Sequence, residues 1–192
     1  MMIPELVQKS RSYRRFDESK KVAPEQLRAL AGLTRYIPSG ANRQPLKYIL
    51  SCSRKTNERI FECLAWAAYL KSWKGPQPGE RPSAYIVILN DNRISDDFGC
   101  DHGIAAQTVM LGAVEMGLGG CILGAIDRGR LRQNLEIPDR YKVLLVLALG
   151  TPVEAVVVEN IGADGSIRYW RDEAQVHHVP KRDVQELIVK EY

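Results

Sequence analysis

No two of the four cysteines, Cys52, Cys63, Cys100 and Cys121, form a C-x-x-C pair, and no secretory h-region precedes them. A disulfide framework or a zinc cluster is therefore not expected, and the reading is a protein of the reducing cytoplasm with no metal. Charge of one sign is also scarce. The 27 lysines and arginines against 23 acidic residues leave a net +4, too little and too evenly spread for the basic stripe of a nucleic-acid binder. That balance favours a small anion as partner. A long apolar span is missing too. Gly103 to Ile126 has the length to cross a bilayer and one charge, Glu115. However, Gly117, Gly119 and Gly120 would break the helix, and a carboxylate at mid-membrane costs about 2.5–3.5 kcal/mol. Burial inside protein is the expectation, with no membrane partner.

Recognisable catalytic spacing is absent as well. There is no G-x-x-x-x-G-K-[ST] loop, no H-E-x-x-H pair and no nucleophile elbow. "GLGGCILG" offers Gly117 and Gly119, but Ile122 stands where the third glycine of a dinucleotide fingerprint belongs, and the stretch follows a helix rather than a strand. His102 lies beside Cys100 and Asp101, but the other histidines, His177 and His178, are far along the chain. Capping or solvated polar residues at a helix start explain that group. If the protein is an enzyme, its reactive group is borrowed.

What is present is ordinary for a globular fold. The chain has 192 residues, 45% hydrophobic and 26% charged, enough for one domain that buries roughly 70% of its unfolded surface. Expected helices are a short one through "ELVQ", "APEQLRALAGLTRY" with Pro24 in its first turn, Lys55 to Trp73, Phe98 to Met116 and "DRGRLRQNL". "KYILSC", "AYIVIL", "GCILG" and "KVLLVLALG" read as strands. From Thr151 onward the pattern weakens into loop-like sequence with a turn at "ADGS" and a short helix after Pro180. So weakly patterned a tail often packs on another subunit.

Three stretches could touch a ligand. "RSYRRF" places Arg11 and Arg14 around Ser12, guanidinium groups and a hydroxyl that suit one phosphate, while a solvated basic turn is the plainer reading. "PSGANRQP" presents Ser39, Asn42 and Gln44 beside a glycine that lets backbone approach a flat ligand. In "GLGGCILG" the glycines either free backbone N–H groups for a ligand or allow close helix-to-strand packing.

These stretches in this order, with "DHGIAAQTVMLGAVEMGLGGCILG" and "LLVLALGTP", cover most of residues 5 to 152. Together, and more weakly through "YWRDEAQVHHVPKRDVQEL", the chain resembles the FMN-dependent nitroreductase family. The resemblance implies an α+β three-layer sandwich: a central, largely antiparallel sheet flanked by helices, in an intertwined homodimer with FMN at the subunit interface. The whole chain, 1–192, would be a single FMN-binding domain, with 155–192 an extension packing on the partner subunit.

By the same resemblance, Arg11 and Ser12 sit near the FMN phosphate or pyrimidine edge and Arg14 at the flavin N1 and O2 side. Pro38, Ser39, Gly40, Asn42 and Gln44 come from the partner subunit onto the isoalloxazine. Ile122, Leu123 and Gly124 lie against the ring, and Lys181 and Arg182 form a basic pair near the phosphate. No side chain need be catalytic, because the flavin carries the chemistry. NAD(P)H is the implied electron donor and a nitroaromatic, quinone or similar small molecule the acceptor. Tyr69 and Trp73, read as one turn apart on the third helix, are candidates for a substrate lid or for core. A flavin-holding or sensory module without turnover, and a flavin-fragmenting or dehalogenating relative, remain open.

Overall fold

The architecture is that of a computed structural model describing residues 1–192. Strands β1 (Leu46–Ser51), β2 (Ala84–Asp91), β3 (Gly119–Leu123) and β4 (Tyr141–Gly150) form one sheet in the order β1-β2-β4-β3. Every pairing in it is antiparallel. All eight residues of β2 are buried, as expected of a central strand covered on both faces.

Side-chain alternation along β2 and β4 divides the core in two. Ile86, Ile88, Leu147 and Leu149 face helices α2 (Pro24–Leu33) and α4 (Asp101–Glu115), meeting Leu27, Leu30, Ala105, Val109 and Met110. Tyr85, Val87, Leu89, Val146 and Ala148 face the other way, onto Ile60 of α3 (Arg54–Phe61) and Leu131 of α5 (Arg128–Leu135). Helix, sheet and helix are thus three layers, β2 and β4 feeding both cores through the strand's period of two. The first helix, α1, spans Ile3–Lys9 and buries no residue. No helix is long and apolar enough to cross a membrane.

The glycines of "GLGGCILG" serve packing and a turn. Gly117 has φ +73°, just past the end of α4, a backbone conformation that favours glycine. A Cβ on Gly120 would fall on the Ala148 carbonyl oxygen and on Met110. Backbone cannot swing aside as a side chain can, so Gly120→Ala is expected to cost about 1–3 kcal/mol. Thermal unfolding checks this, with a midpoint lower by roughly 2–12 °C. Gly103→Ala in α4 is the control: a Cβ there meets nothing within 4 Å, so its midpoint holds or rises.

Two expectations are corrected. The helix expected over Lys55 to Trp73 ends at Phe61. Beyond it the backbone pairs with the segment after β3: the Ala65 N–H donates to the Ala125 carbonyl at 3.0 Å and the Asp127 N–H to the Cys63 carbonyl at 2.8 Å. These bonds replace helical ones, and Ala67 at φ 41° rules out a continuing helix. Tyr69 and Trp73 therefore lie in a turn-rich segment, not on a helical face.

The tail after Thr151 is also more regular than its sequence. Strands β5 (Val156–Asn160), β6 (Trp170–Arg171) and β7 (His177–Lys181) form a second sheet, β5 parallel and β6 antiparallel to β7. A last short helix, α6, covers Val184–Leu187.

Candidate functional site

Residues 11–16 form an extended arm laid against β3, an edge strand of the main sheet. The Tyr13 N–H donates to the Gly120 carbonyl at 2.9 Å, and Ser12 bridges to Gly120 in parallel register. At the far end Phe16 is fully buried, and the N–H of Asp17 donates to the Thr151 carbonyl at 2.8 Å. The arm is anchored at both ends, so the basic side chains between have fixed origins.

Beneath the arm lies Glu154, its side chain inaccessible to solvent. Its carboxylate accepts the backbone N–H of both Arg14 and Arg15 and pairs with Arg171 at 2.9 Å. The Arg171 guanidinium stacks over Trp73 with its centre 4.3 Å from the ring centroid. Arg15 pairs with Glu80, which holds the Glu80 carboxyl below the usual carboxylate range, chiefly through the hydrogen bond from Arg15. Arg15 is thus committed to an ion pair, as its neighbours Arg11 and Arg14 are not.

Arg11, Ser12 and Arg14 from the arm, with Tyr169, His177 and Lys181 from the second sheet and its approach, line a cleft of about 290 Å³. The Arg14 Nη1–H donates to the Ser12 carbonyl at 3.2 Å and lies 3.1 Å from His177 Nε2, and the guanidinium sits 5.0 Å from the centre of the Tyr169 ring. Arg11 Nη2 donates to the Val7 carbonyl at 2.6 Å, while its Nε–H is buried without a partner. None of Arg11, Arg14 and Lys181 pairs with a carboxylate, since Glu154 is committed to Arg171 and Glu80 to Arg15. Three cations face one cleft without compensation.

His177 is fully buried. Because an arginine can only donate, His177 Nε2 must accept and Nδ1 must carry the ring proton. Burial first, then the charges of Arg14, Arg171 and His178, pull its pKa down to about 4. The sign follows from the unfolded value, near 6.5. Between about pH 6.5 and pH 4 the unfolded chain holds a proton on this ring that the folded chain refuses, so stability falls as pH falls through that window. Adjacent His178 acts oppositely. Although burial pulls it down, hydrogen bonds to Asp172 and Glu159 hold it net up, so its contribution is lost as pH rises above 6.5. Thermal midpoints across pH 4–7 should therefore drop on the acid side in the native chain and flatten in His177→Gln.

The remaining sequence-predicted residues form separate groups. Ser39, Asn42 and Gln44 line a hollow of about 280 Å³ beside α2 and β1, and Pro38, Ser39 and Gly40 line another of about 310 Å³ against Phe98 and Asp101. Buried Asp101 holds the loop, accepting from Ser39 Oγ at 2.6 Å and the Gly40 N–H at 3.1 Å. Ala41, Asn42 and Gln44 all have positive φ near 50°, so the segment is held in a costly conformation. Neither of these hollows shares a lining residue with the arginine cleft.

On β3, Leu123 is buried and Ile122 is 38% exposed. The Gly120 carbonyl points off the sheet edge to Tyr13, so by the strand's period of two the N–H and C=O of Ile122 point off the same edge. Gly124 follows, also exposed. Arg182 lies apart from the cleft and pairs with Glu186 at 2.9 Å. Tyr69 packs against Tyr169, ring centres 4.9 Å apart and planes tilted by 57°, and so borders the arginine cleft. Trp73 is packed into the second core under Arg171.

Glu154, Tyr169, Arg171 and His177 are site residues that sequence reasoning missed. Only the run "YWRDEAQVHH" could have pointed to three of them, and its short strands leave little periodicity to read.

The fold is that of a known family of proteins. The family model described as "Nitroreductase family" matches residues 7–151, and the chain belongs to the nitroreductase family. Among solved structures, a nitroreductase family protein from Streptococcus pneumoniae TIGR4 is 18% identical with a TM-score of 0.69, covering 99% of this chain and 100% of that one. A nitroreductase family protein from Clostridium novyi NT is 23% identical with a TM-score of 0.66, over 79% of this chain and 87% of that one. An FMN-dependent nitroreductase from Clostridium difficile R20291 is 22% identical with a TM-score of 0.64, over 79% and 88%. At these identities the likeness is one of fold. A comparison with curated proteins returns no match.

Proposed function

We propose that the chain is an FMN-dependent NAD(P)H oxidoreductase of nitroreductase type that passes reducing equivalents to a nitroaromatic, quinone or similar electron-poor acceptor. One observation carries the reading: Arg11, Arg14 and Lys181, none ion-paired, converge on one cleft with an orphaned buried Arg11 Nε–H. Such a donor set fits a phosphorylated cofactor, whose oxygens accept charge-assisted bonds from guanidinium and ammonium groups.

FMN, when bound, supplies the hydride chemistry. The chain's own residues bind, orient and tune. Arg11, Ser12 and Lys181 hold the anionic end, and Arg14, fixed by His177 and Tyr169, presents a positive charge that favours an anionic reduced cofactor. His177 does this without adding charge, because its ring is neutral at physiological pH. The outward backbone groups of Ile122, with Leu123 and Gly124, form the edge against which a flat ring can rest. Pro38, Ser39, Gly40, Asn42 and Gln44 are assigned to the second subunit's contribution in a homodimer, which accounts for their separation from the arginine cleft within one chain. Residues 155–192 are assigned to the same subunit contact. Tyr69, packed against Tyr169, borders the acceptor side.

The purified protein's visible spectrum, followed by anaerobic stopped-flow mixing with NADH and with NADPH, tests this. A yellow dimer bleached rapidly by either nicotinamide is the expected result. A colourless protein that takes up no added FMN overturns it, and bound flavin that neither nicotinamide bleaches leaves a flavin-holding module in its place.

A further inference from the structure

A second polar cavity lies away from the arginine cleft, between the start of β2 and α3. It measures about 40 Å³ and is lined by Arg81, Ser83 and Tyr85 on one side and by Glu18, Lys21 and Asn57 among others opposite. A water needs roughly 10–15 Å³ by the same measure. The space therefore admits one small ion with a water or two, and excludes a nucleotide or peptide.

Its chemistry is one-sided. Tyr85 and Ser83 are 1% and 4% exposed, and the Tyr85 hydroxyl, the Ser83 hydroxyl and the Arg81 Nε–H are all buried without partners. Asn57, the other buried polar side chain there, is already used, accepting from Ser51 Oγ at 2.7 Å and donating to the Ser83 carbonyl at 2.8 Å. Burial pushes the Tyr85 hydroxyl far up, with Arg81 opposing and Glu18 adding to the rise, so it keeps its proton at any ordinary pH. Arg81 pairs with no carboxylate and lies over the Phe61 ring, 4.3 Å from its centre.

Charge gives the same sign. Arg54 and Glu58 neutralise each other at 3.1 Å, which leaves the cations Lys21 and Arg81 against the single carboxylate Glu18. Glu18 itself accepts the Gly79 N–H at 2.6 Å. A single water accepts at most two hydrogen bonds, whereas an anion, which only accepts, can take all three donors at once and match the excess positive charge.

We propose that this cavity is a specific site for one small monovalent anion, a halide or a compact carboxylate, bound by Arg81 Nε–H, Tyr85 Oη–H and Ser83 Oγ–H. The site stands one residue from Glu80, the partner of Arg15, and so braces the segment that fixes the arm of the arginine cleft. It needs no flavin, and its test is independent of the redox reading.

Thermal unfolding of the full-length protein in sodium chloride, sodium formate or sodium gluconate at equal ionic strength provides the first measurement. Chloride or formate at about five times its Kd should raise the midpoint by roughly 2–4 °C over gluconate, which is too large for the cavity. The difference should vanish in Arg81→Gln and shrink in Tyr85→Phe. Crystals soaked in sodium bromide should show an anomalous peak between Arg81 and Tyr85. Equal midpoints in all three salts, or a cavity holding only water with no bromide peak, would overturn the assignment. Should Arg81→Gln fail to fold, Tyr85→Phe and the bromide crystal decide it.

Discussion

Replacing Glu154 with alanine is expected to lower the midpoint of thermal unfolding by about 6–20 °C, the largest stability loss available from any single side chain near the cleft. Three donors depend on this carboxylate: the backbone N–H groups of Arg14 and Arg15 and the Arg171 guanidinium. The ion pair is nearly dry, with 8% of the Arg171 side chain exposed and none of the Glu154 side chain. Breaking such a pair from one side strands a buried charge and costs about 3–5 kcal/mol.

The double variant Glu154→Leu with Arg171→Met separates the stranded charge from the lost attraction. Replacing both partners by apolar groups of similar size is close to neutral in buried pairs, since the desolvation penalty disappears with the charges. Only part of the lost midpoint should return, because the two N–H groups left without an acceptor still cost about 1–3 kcal/mol each. A double variant as unstable as Glu154→Ala would mean that the two unpaired N–H groups, not the stranded charge, account for the loss. Differential scanning calorimetry of the three proteins provides the comparison.

The main sheet was legible in sequence because its strands are long and two-sidedly buried. "AYIVIL" and "KVLLVLALG" are near-continuous apolar runs, and the structure buries β2 throughout. Helix α4 was legible through its small and apolar residues, six of them now buried. The third helix misled because Cys63 and Ala67 do point into protein, at 3% and 8% exposure, so helical spacing was satisfied by a chain that had left the helix. What overrode periodicity there was backbone pairing with residues 125–127, far away in sequence.

The second sheet was hidden for a related reason. β6 has two residues, and β5 and β7 are parallel strands separated by an excursion of 16 residues from Ile161 to Val176. Its exposed valines, Val157 and Val158, give no alternation to read. The arm motif, by contrast, was legible as chemistry. Arg11, Ser12 and Arg14 do share a cleft with Lys181, but the residues that orient Arg14 belong to the sheet the sequence concealed.

That division of labour sets the last prediction, which rests on the proposed FMN reading. Arg11→Ala should weaken FMN binding about 10- to 150-fold, the worth of a lost charge-assisted hydrogen bond of roughly 1.5–3 kcal/mol. It should leave thermal stability of the apoprotein nearly unchanged. The Arg11 side chain makes only one internal bond, to the Val7 carbonyl at the end of an exposed helix, so its removal strands little. Arg14→Ala differs in kind: it removes a cation from the cleft and also the partner of His177 Nε2 and of the Tyr169 face. Its apoprotein should therefore lose stability as well as affinity. Fluorescence titration of FMN against each apoprotein, beside their unfolding curves, distinguishes the two arginines. Equal FMN affinity in Arg11→Ala and the native chain would remove Arg11 from the site and leave its buried Nε–H to be satisfied by something other than the cofactor.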